Sequence, residues 1–372
     1  MSVYLDYNAT AKVRPQVIAA MAETLGQVGN PSSIHAHGRA ARAVVERARA
    51  EVADLVGGPA STLVFTGGGT EANAIAIDSA VAAGAKRLIV SAIEHESVLE
   101  TAKASGVPLE YLPVTREGLA DLNWLKSRLG SWNVTDGKPF IALMAANNET
   151  GVIQPLAEAA EIIRAVDGWL HVDAVQAAGK VLIDSRALGA DTLAVTGHKL
   201  GGPQGVGALT FGPRATLVRR THGGGQERGR RAGTENVAGI VGFGVAARLA
   251  LQERNDNLAW RDAAGDRLKR EGAVVIAENA PRLPNTLCVA MPGRPADLQV
   301  MNLDLVGVMV SAGSACSSGK VKVSHVLAAM GLEDLASSAI RVSGGWDTGQ
   351  ADWQTFVDAW LKLQTRRTSA AA

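Results

Sequence analysis

Cysteine is nearly missing from this chain. Its 372 residues include two, Cys288 and Cys316, far apart and in unlike surroundings, so no disulfide framework is written here and a reducing compartment, the cytoplasm, is expected. Neither sign of charge dominates: 37 lysines and arginines face 36 aspartates and glutamates, a formal net charge of +1. That balance gives no global reason to expect nucleic acid or an anionic membrane as a partner and leaves small substrates as the default. No basic segment followed by an apolar one opens the sequence, so no secretory signal is read. The longest apolar run, residues 237–251, carries Arg248 and several glycines and is too short to span a bilayer. It reads as a core helix. No internal repeat appears, and the only low-complexity stretch is a small polar tail after Arg367.

What is present is a chain 47% hydrophobic and 20% charged, long enough for a sizeable core and for two domains. A proline at position 15 opens a helix to about residue 25, and residues 36–55 form a second, with Val44, Val45, Ala48, Val52 and Leu55 as its apolar stripe. Arg39, Arg42, Glu46, Arg47 and Arg49 fall on its wet side. From residue 61 apolar strands alternate with helices: 62–65, 87–91, 140–144, 169–173 and 192–195 read as strands. Such a pattern predicts an α/β fold with a mostly parallel central sheet covered by helices. Beyond residue 250 the pattern becomes one long helical stretch over about 239–270, a strand over 286–290, a helix over 295–304 and a terminal helix ending near 364. We therefore expect a large domain over 14–250 and a smaller α/β domain made of 1–13 and 251–372.

The conspicuous polar residues follow the strands, where open α/β sheets bind ligands. Asp173 closes one strand and Lys199 follows the next. By itself Lys199 also reads as a solvated surface lysine. On neighbouring strands, however, a carboxylate and a Schiff-base lysine would share one rim, as pyridoxal phosphate requires, because the carboxylate keeps the ring nitrogen protonated. Gln176 is placed to bond the ring hydroxyl, while His171 reads as structural. Gly67-Gly68-Gly69-Thr70, between a strand and a helix, offers backbone N–H groups and a hydroxyl to a phosphate. Gly67, Gly69 and Ala72, with Glu94 further on, also fit a dinucleotide fingerprint, although that reading leaves Asp173 and Lys199 without a role. His95 either stacks on a flat ring, moves a proton or caps a helix, and Asn148 serves either a turn or a ligand.

Cys316 sits among small polar residues, in Gly313-Ser314-Ala315-Cys316-Ser317-Ser318-Gly319-Lys320, and reads as an exposed nucleophilic thiol or as part of a plain linker. Cys288, inside an alternating strand, reads as core. Arg341, alone among apolar neighbours, needs an anion if it points inward, and a substrate carboxylate would satisfy it. The basic, glycine-rich stretch 223–234 reads as a loop that meets phosphate or a neighbouring subunit.

In combination these motifs resemble the cysteine desulfurases, fold-type I pyridoxal phosphate enzymes of the class V aminotransferase group. The resemblance runs from Leu5-Asp6-Tyr7-Asn8-Ala9-Thr10 to about Ser343 through Thr70-Glu71, Glu94-His95, Asn147-Asn148-Glu149, His171-Val172-Asp173, Gly197-His198-Lys199, Arg231-Ala232-Gly233-Thr234 and Gly313-Ser314-Ala315-Cys316. It implies pyridoxal 5'-phosphate held covalently by Lys199, with Asp173 on its ring nitrogen, Gln176 on its ring oxygen and His95 stacked on the ring. It further implies Gly69, Thr70, Thr196 and His198 on the phosphate, joined by Thr234 from the partner chain of a homodimer. Asn148 and Arg341 would hold the carboxylate of L-cysteine, and Cys316 would take its sulfur as a persulfide, releasing alanine and passing sulfur on to an acceptor such as an iron–sulfur scaffold protein. No metal, no membrane and no direct nucleic-acid contact are expected. Gln204 and Trp346 stand where the family usually has basic residues. A transaminase or β-eliminating lyase of the same class, selenocysteine lyase included, and an inactive scaffold of the same fold are the alternatives.

Overall fold

The computed structural model describes residues 2–253, 256–313 and 323–370, without the side chains of residues 365–370. A two-residue strand, β1 (Val3–Tyr4), is followed by α1 (Pro15–Leu25), which starts on its proline, and by α2 (Ala36–Leu55). Val45, Ala48, Val52 and Leu55 of α2 are buried, as the stripe predicts. Arg49 corrects the expectation of a wet position: its side chain is only 3% exposed, because it reaches through the core to a buried carboxylate, Glu227, 2.6 Å away.

Seven strands build the large sheet: β2 (Leu63–Thr66), β3 (Leu88–Ser91), β4 (Leu109–Leu112), β5 (Phe140–Ala142), β6 (Trp169–Asp173), β7 (Thr192–Thr196) and β8 (Gly207–Phe211). Their order is β2-β8-β7-β6-β5-β3-β4, parallel from β7 through β4, with β8 antiparallel to both β2 and β7. Hydrophobic patterning misses two of them. β4 lies at the sheet edge with an exposed Tyr111 and no apolar run, and β8 follows a glycine-rich turn that reads as loop. Helices α3 (Gly69–Ala82), α4 (Glu96–Ala104), α5 (Leu122–Gly130), α6 (Leu156–Arg164) and the short α7 (Ser185–Leu188) form the connections. The period of two in each strand splits the core. Leu88, Val90, Phe140 and Ala142 pack in one cluster, while Ile89, Ile141, Leu170, Val172 and Leu193 pack in another.

The second cluster is closed by α8 (Val237–Gln252), which lies on α1 and α2 and is the core helix expected from its apolar run. Gly244 makes that contact possible, since a Cβ there would stand 2.7 Å from Cα of Ala48. The long helix expected over 239–270 is in fact two, α8 and α9 (Asn257–Arg270). Glu253 leaves the helix in extended conformation and forms an ion pair with Arg14.

The rest of the chain adds β9 (Val274–Val275), β10 (Thr286–Ala290), α10 (Ala296–Leu305), β11 (Val308–Met309), β12 (Ser311–Ala312), α11 (His325–Ala329), α12 (Glu333–Ala336), β13 (Ala339–Ser343) and α13 (Gln350–Ala370). An antiparallel sheet runs β12-β13-β10-β9, and β1 pairs in parallel with β11. Val3 and Leu5 thereby enter a core with Leu287, Ile340, Trp353 and Trp360. Cys288 is buried on the opposite face of β10, in a cluster with Met144, Val152 and Leu327, and burial pushes its thiol up to about 12. α13 runs on to Ala370, past the expected end near 364. No helix among the described residues is long and apolar enough to cross a membrane.

Candidate active site

The strand pairing puts Asp173, the last residue of β6, opposite Ala194 of β7, and the chain leaves β7 through a single 3-10 turn, Gly197–Lys199. Both side chains reach one cavity of about 420 Å³ beyond the strand ends. Gly69, Thr70, His95, Asn148, Gln176, Thr196, His198 and Arg341 line the same cavity. Of the other expected site residues, Thr234 is exposed and does not line it, and Cys316 lies outside the described residues. Gly313 and His325, which flank the stretch carrying Cys316, are both in the wall.

Lys199 is held from behind. Its Nζ donates to the carbonyls of Asn8 and Ala9 at 2.5 and 2.7 Å. Burial and the nearby Arg341 guanidinium lower its pKa to about 8, against the opposing pull of Asp6 and Asp173. A lysine so placed offers free amine near neutral pH, which an ordinary lysine does not.

Asp173 is oriented by two donors, Nδ2 of Asn73 at 2.8 Å and the Val175 amide at 2.9 Å. Asn73, on α3, also donates to Oγ of Ser97 at 2.9 Å, so its carbonyl is left for Nε2 of His171 at 3.0 Å. His171 is fully buried, its pKa lowered to about 4 by burial. It is the neutral structural residue the sequence suggests, donating from Nε2 and accepting from the Thr192 hydroxyl at Nδ1, 3.0 Å away.

The phosphate cradle is the first turn of α3. The first helical bond is donated by Ala72 to Gly68, so the amides of Gly69, Thr70 and Glu71 come before the helical ladder, at its positive end. A Cβ at Gly69 would stand 2.8 Å from the Val175 side chain, so glycine lets the turn come this close to the segment that follows β6. The expected run of glycine donors is shorter than it reads, because the Gly67 amide is taken by the Glu71 carboxylate at 2.5 Å. Glu71 also binds Arg231 at 2.9 Å, bringing the basic loop to the cradle's edge. Glu94 cannot serve a dinucleotide ribose. It is completely buried, accepts the Met144 amide at 2.5 Å, and burial beside Asp173 raises its pKa well above the usual carboxylate range.

His95 both caps α4 and lines the cavity: Nδ1 accepts from the Ser97 amide at 3.1 Å, so the neutral ring carries its proton on Nε2. His198 lies beside Lys199 with its pKa lowered to about 4 by burial and by that lysine, and its Nδ1 is 3.3 Å from the Thr10 hydroxyl. The Thr196 hydroxyl donates to the Val206 carbonyl at 3.0 Å. Arg341 comes from β13. The anion it needs is supplied in part by Asp6, 2.8 Å from Nη2, while Nη1 donates to the Asn148 carbonyl at 3.2 Å and the buried Nε has no partner among the described residues. Asn148 thus meets Arg341 through its backbone.

Sequence reasoning passes over Asp6, Asn8, Asn73 and Lys180. A polar residue in an alanine-rich helix was the available sign for Asn73, and none marks Asp6, whose partner is 335 positions away. Gln204 is exposed and Trp346 stacks under Arg14, 5.2 Å from its guanidinium. Among the described residues no group of three or more metal-ligating side chains comes together.

An amine titrating near 8, a fixed carboxylate on the adjacent strand and unpaired helix amides behind a glycine with no room for a side chain fit pyridoxal phosphate. Comparison with known proteins agrees. The family model described as aminotransferase class-V matches residues 3–356. A cysteine desulfurase IscS of Dictyoglomus turgidum is 39% identical over 96% of this chain and 93% of its own length, and a cysteine desulfurase of Cereibacter sphaeroides is 41% identical over 93% and 92%. The NifS-like protein of Rickettsia africae superposes with a TM-score of 0.90 at 32% identity, covering 98% of this chain and all of that one. SspA, solved in complex with cysteine, has a TM-score of 0.81 at 29% identity over 93% of this chain and 99% of its own. The chain belongs to the class V aminotransferase family of pyridoxal phosphate enzymes, among its cysteine desulfurases.

Proposed function

We propose that this chain converts L-cysteine to L-alanine and keeps the sulfur as a persulfide on Cys316. The carrying observation is the placement of Lys199, Asp173 and Arg341 around one cavity whose wall also holds the residues flanking the Cys316 stretch. Pyridoxal phosphate, when bound, supplies an electron sink that weakens bonds around the amino acid's α-carbon. Lys199 would hold it, Asp173 and Gln176 would meet the ring, His95 would cover its face, and Gly69, Thr70, Thr196 and His198 would receive the phosphate. Arg341 and Asn148 anchor the substrate carboxylate. Lys199 Nζ, part of which is unprotonated near neutral pH, takes the α-proton, and Nε2 of His95 is placed to hand a proton back. The Cys316 thiolate attacks the substrate sulfur: an S–S bond forms, the C–S bond breaks, and its electron pair stays with the carbon skeleton that leaves as alanine.

Residues 14–250 are the cofactor-binding unit in this reading, with 1–13 and 251–372 supplying Arg341 and the thiol. Thr234, exposed on the single chain, reaches the phosphate of a second copy in a homodimer. The persulfide then passes its sulfur, in the cytoplasm, to an acceptor such as an iron–sulfur scaffold protein. The test is incubation of cofactor-loaded protein with L-cysteine, with alanine assayed and Cys316 weighed by mass spectrometry. Alanine should appear with the mass of one sulfur atom added at Cys316, and Cys316→Ala should lose turnover while still binding cofactor. Full turnover by that variant, or brisk turnover of amino acids lacking sulfur, would point to transamination or β-elimination instead.

A further inference from the structure

Gln176 lines the main cavity, and behind it, outside that cavity, stands a second lysine. Lys180 is half-buried and donates to Oε1 of Gln176 and to Oδ1 of Asn8, both at 2.9 Å. No carboxylate among the described residues pairs with it, and the stretches beyond them contain no aspartate or glutamate. Burial, then the cations Lys199 and Arg341, lower its pKa well below the usual lysine range. Arg14 and Glu253, which share a small cavity of about 70 Å³ with it, are paired with each other. A lysine with no counter-ion from the chain is costly to keep and calls for an anion from elsewhere.

The hydrogen bonds around Gln176 leave its amide one orientation. The Asn8 backbone carbonyl can only accept, so the end of Gln176 that meets it at 2.9 Å is the NH2 group, and the end that meets Lys180 is the oxygen. Turning the amide over would set oxygen against oxygen at Asn8 and NH2 against the donors of Lys180. Asn8 cannot yield to accommodate this: it is 1% exposed, its Nδ2 donates to the Asn148 carbonyl at 3.2 Å and to the Thr286 hydroxyl at 3.0 Å, and its own amide donates to Ser343 at 3.0 Å. The same Asn8 carbonyl accepts from Lys199 at 2.5 Å. Nε2 of Gln176 and Nζ of Lys199 therefore meet on one oxygen, and the second N–H of Gln176 has no acceptor among the described residues.

We propose that Lys180 is a positioning residue for the cofactor: it holds the Gln176 amide with its nitrogen toward Lys199 and, through that amide, favours a negative charge on the cofactor's ring oxygen, the anion that the chain itself does not give it. A donor on the oxygen of an amide polarises it and strengthens the N–H at the other end. An oxygen that receives such a bond is favoured in its charged form and gives up a shared proton more readily. The other charges around Lys199, Arg341 from β13, Asp6 from the N-terminal segment and Asp173 from β6, are not altered by a change at Lys180. The inference rests on the reading above only in seating the ring oxygen against Gln176.

The test is a pH titration of the visible absorption of full-length protein loaded with pyridoxal phosphate, which follows the proton shared between the Lys199 nitrogen and the ring oxygen. In Lys180→Met the midpoint should rise by about one unit, a tenfold tighter hold on that proton, and Lys180→Gln should match it if the methionine variant does not fold. Lys180→Arg, which keeps the charge, should stay close to wild type. Gln176→Leu should raise the midpoint as well, and adding Lys180→Met to it should raise it no further, because the two act through one amide. An unshifted midpoint in both neutral variants, the same rise in the arginine variant, or a full additional rise on the Gln176→Leu background overturns the proposal. Cysteine does not enter this measurement, so absence of alanine formation by wild type would count against the desulfurase reading alone.

Discussion

Asn73 holds two of the site's groups with one side chain, donating to Asp173 and accepting from His171. Truncating it to alanine leaves Asp173 with the Val175 amide alone, and a lost hydrogen bond to a charged group is worth about 1.5–3 kcal/mol. Asn73→Ala should therefore weaken cofactor binding by about tenfold to a hundredfold, measured by absorbance titration, while a fold-wide loss would appear as a lowered melting temperature. His171 carries a pH dependence. Its folded pKa, lowered to about 4, lies below the unfolded value near 6.5, so the unfolded chain binds the proton first. Stability is whole above the unfolded value and falls as pH drops through that window, by up to a few kcal/mol. His171→Gln should flatten that slope in denaturant titrations at pH values between the two. Lys199 and Asp173 were readable because each ends a recognisable strand. Asn73, Asp6 and Lys180 were not, since what gives them meaning is a partner brought in by the fold.

At the scale of elements, the buried Arg49–Glu227 pair ties α2 to the basic loop. Glu227 receives Nη1 and Nη2 of Arg49 at 2.6 and 2.9 Å and the Phe65 amide of β2 at 2.9 Å. Glu227 and Arg228 both hold positive φ, at 47° and 57°, a conformation that the pair helps to fix. Removing one charge from a buried pair leaves the other stranded, so Glu227→Ala should cost about 3–5 kcal/mol in chemical denaturation. The double variant Arg49→Met with Glu227→Leu should recover much of it, since two apolar side chains leave no orphaned charge. The sequence pattern located α2, β6 and β7 closely, α2 because it buries one stripe and the two strands because they are apolar runs buried throughout. It missed β8, hidden after glycines, and the break between α8 and α9, because the reason Glu253 leaves the helix is Arg14, near the other end of the chain.

Taken as a whole molecule, the alternation of strands and helices specified the large sheet and the rim that binds, while the smaller antiparallel sheet was harder to foresee. Its strands are short, and its core is completed by Val3 and Leu5 from the start of the chain. This placement has a consequence for how the protein is made. Asn8 leaves the ribosome first, yet the hydroxyl that fixes its amide belongs to Ser343, 335 residues behind. At about 5–20 residues per second, roughly a quarter-minute to more than a minute separates the two. The large sheet can therefore assemble on the ribosome with Lys199 in position on its strand end but without its carbonyl anchors. The enzyme's reactive amine is built early and set last, when the final strand brings the two ends of the polypeptide together.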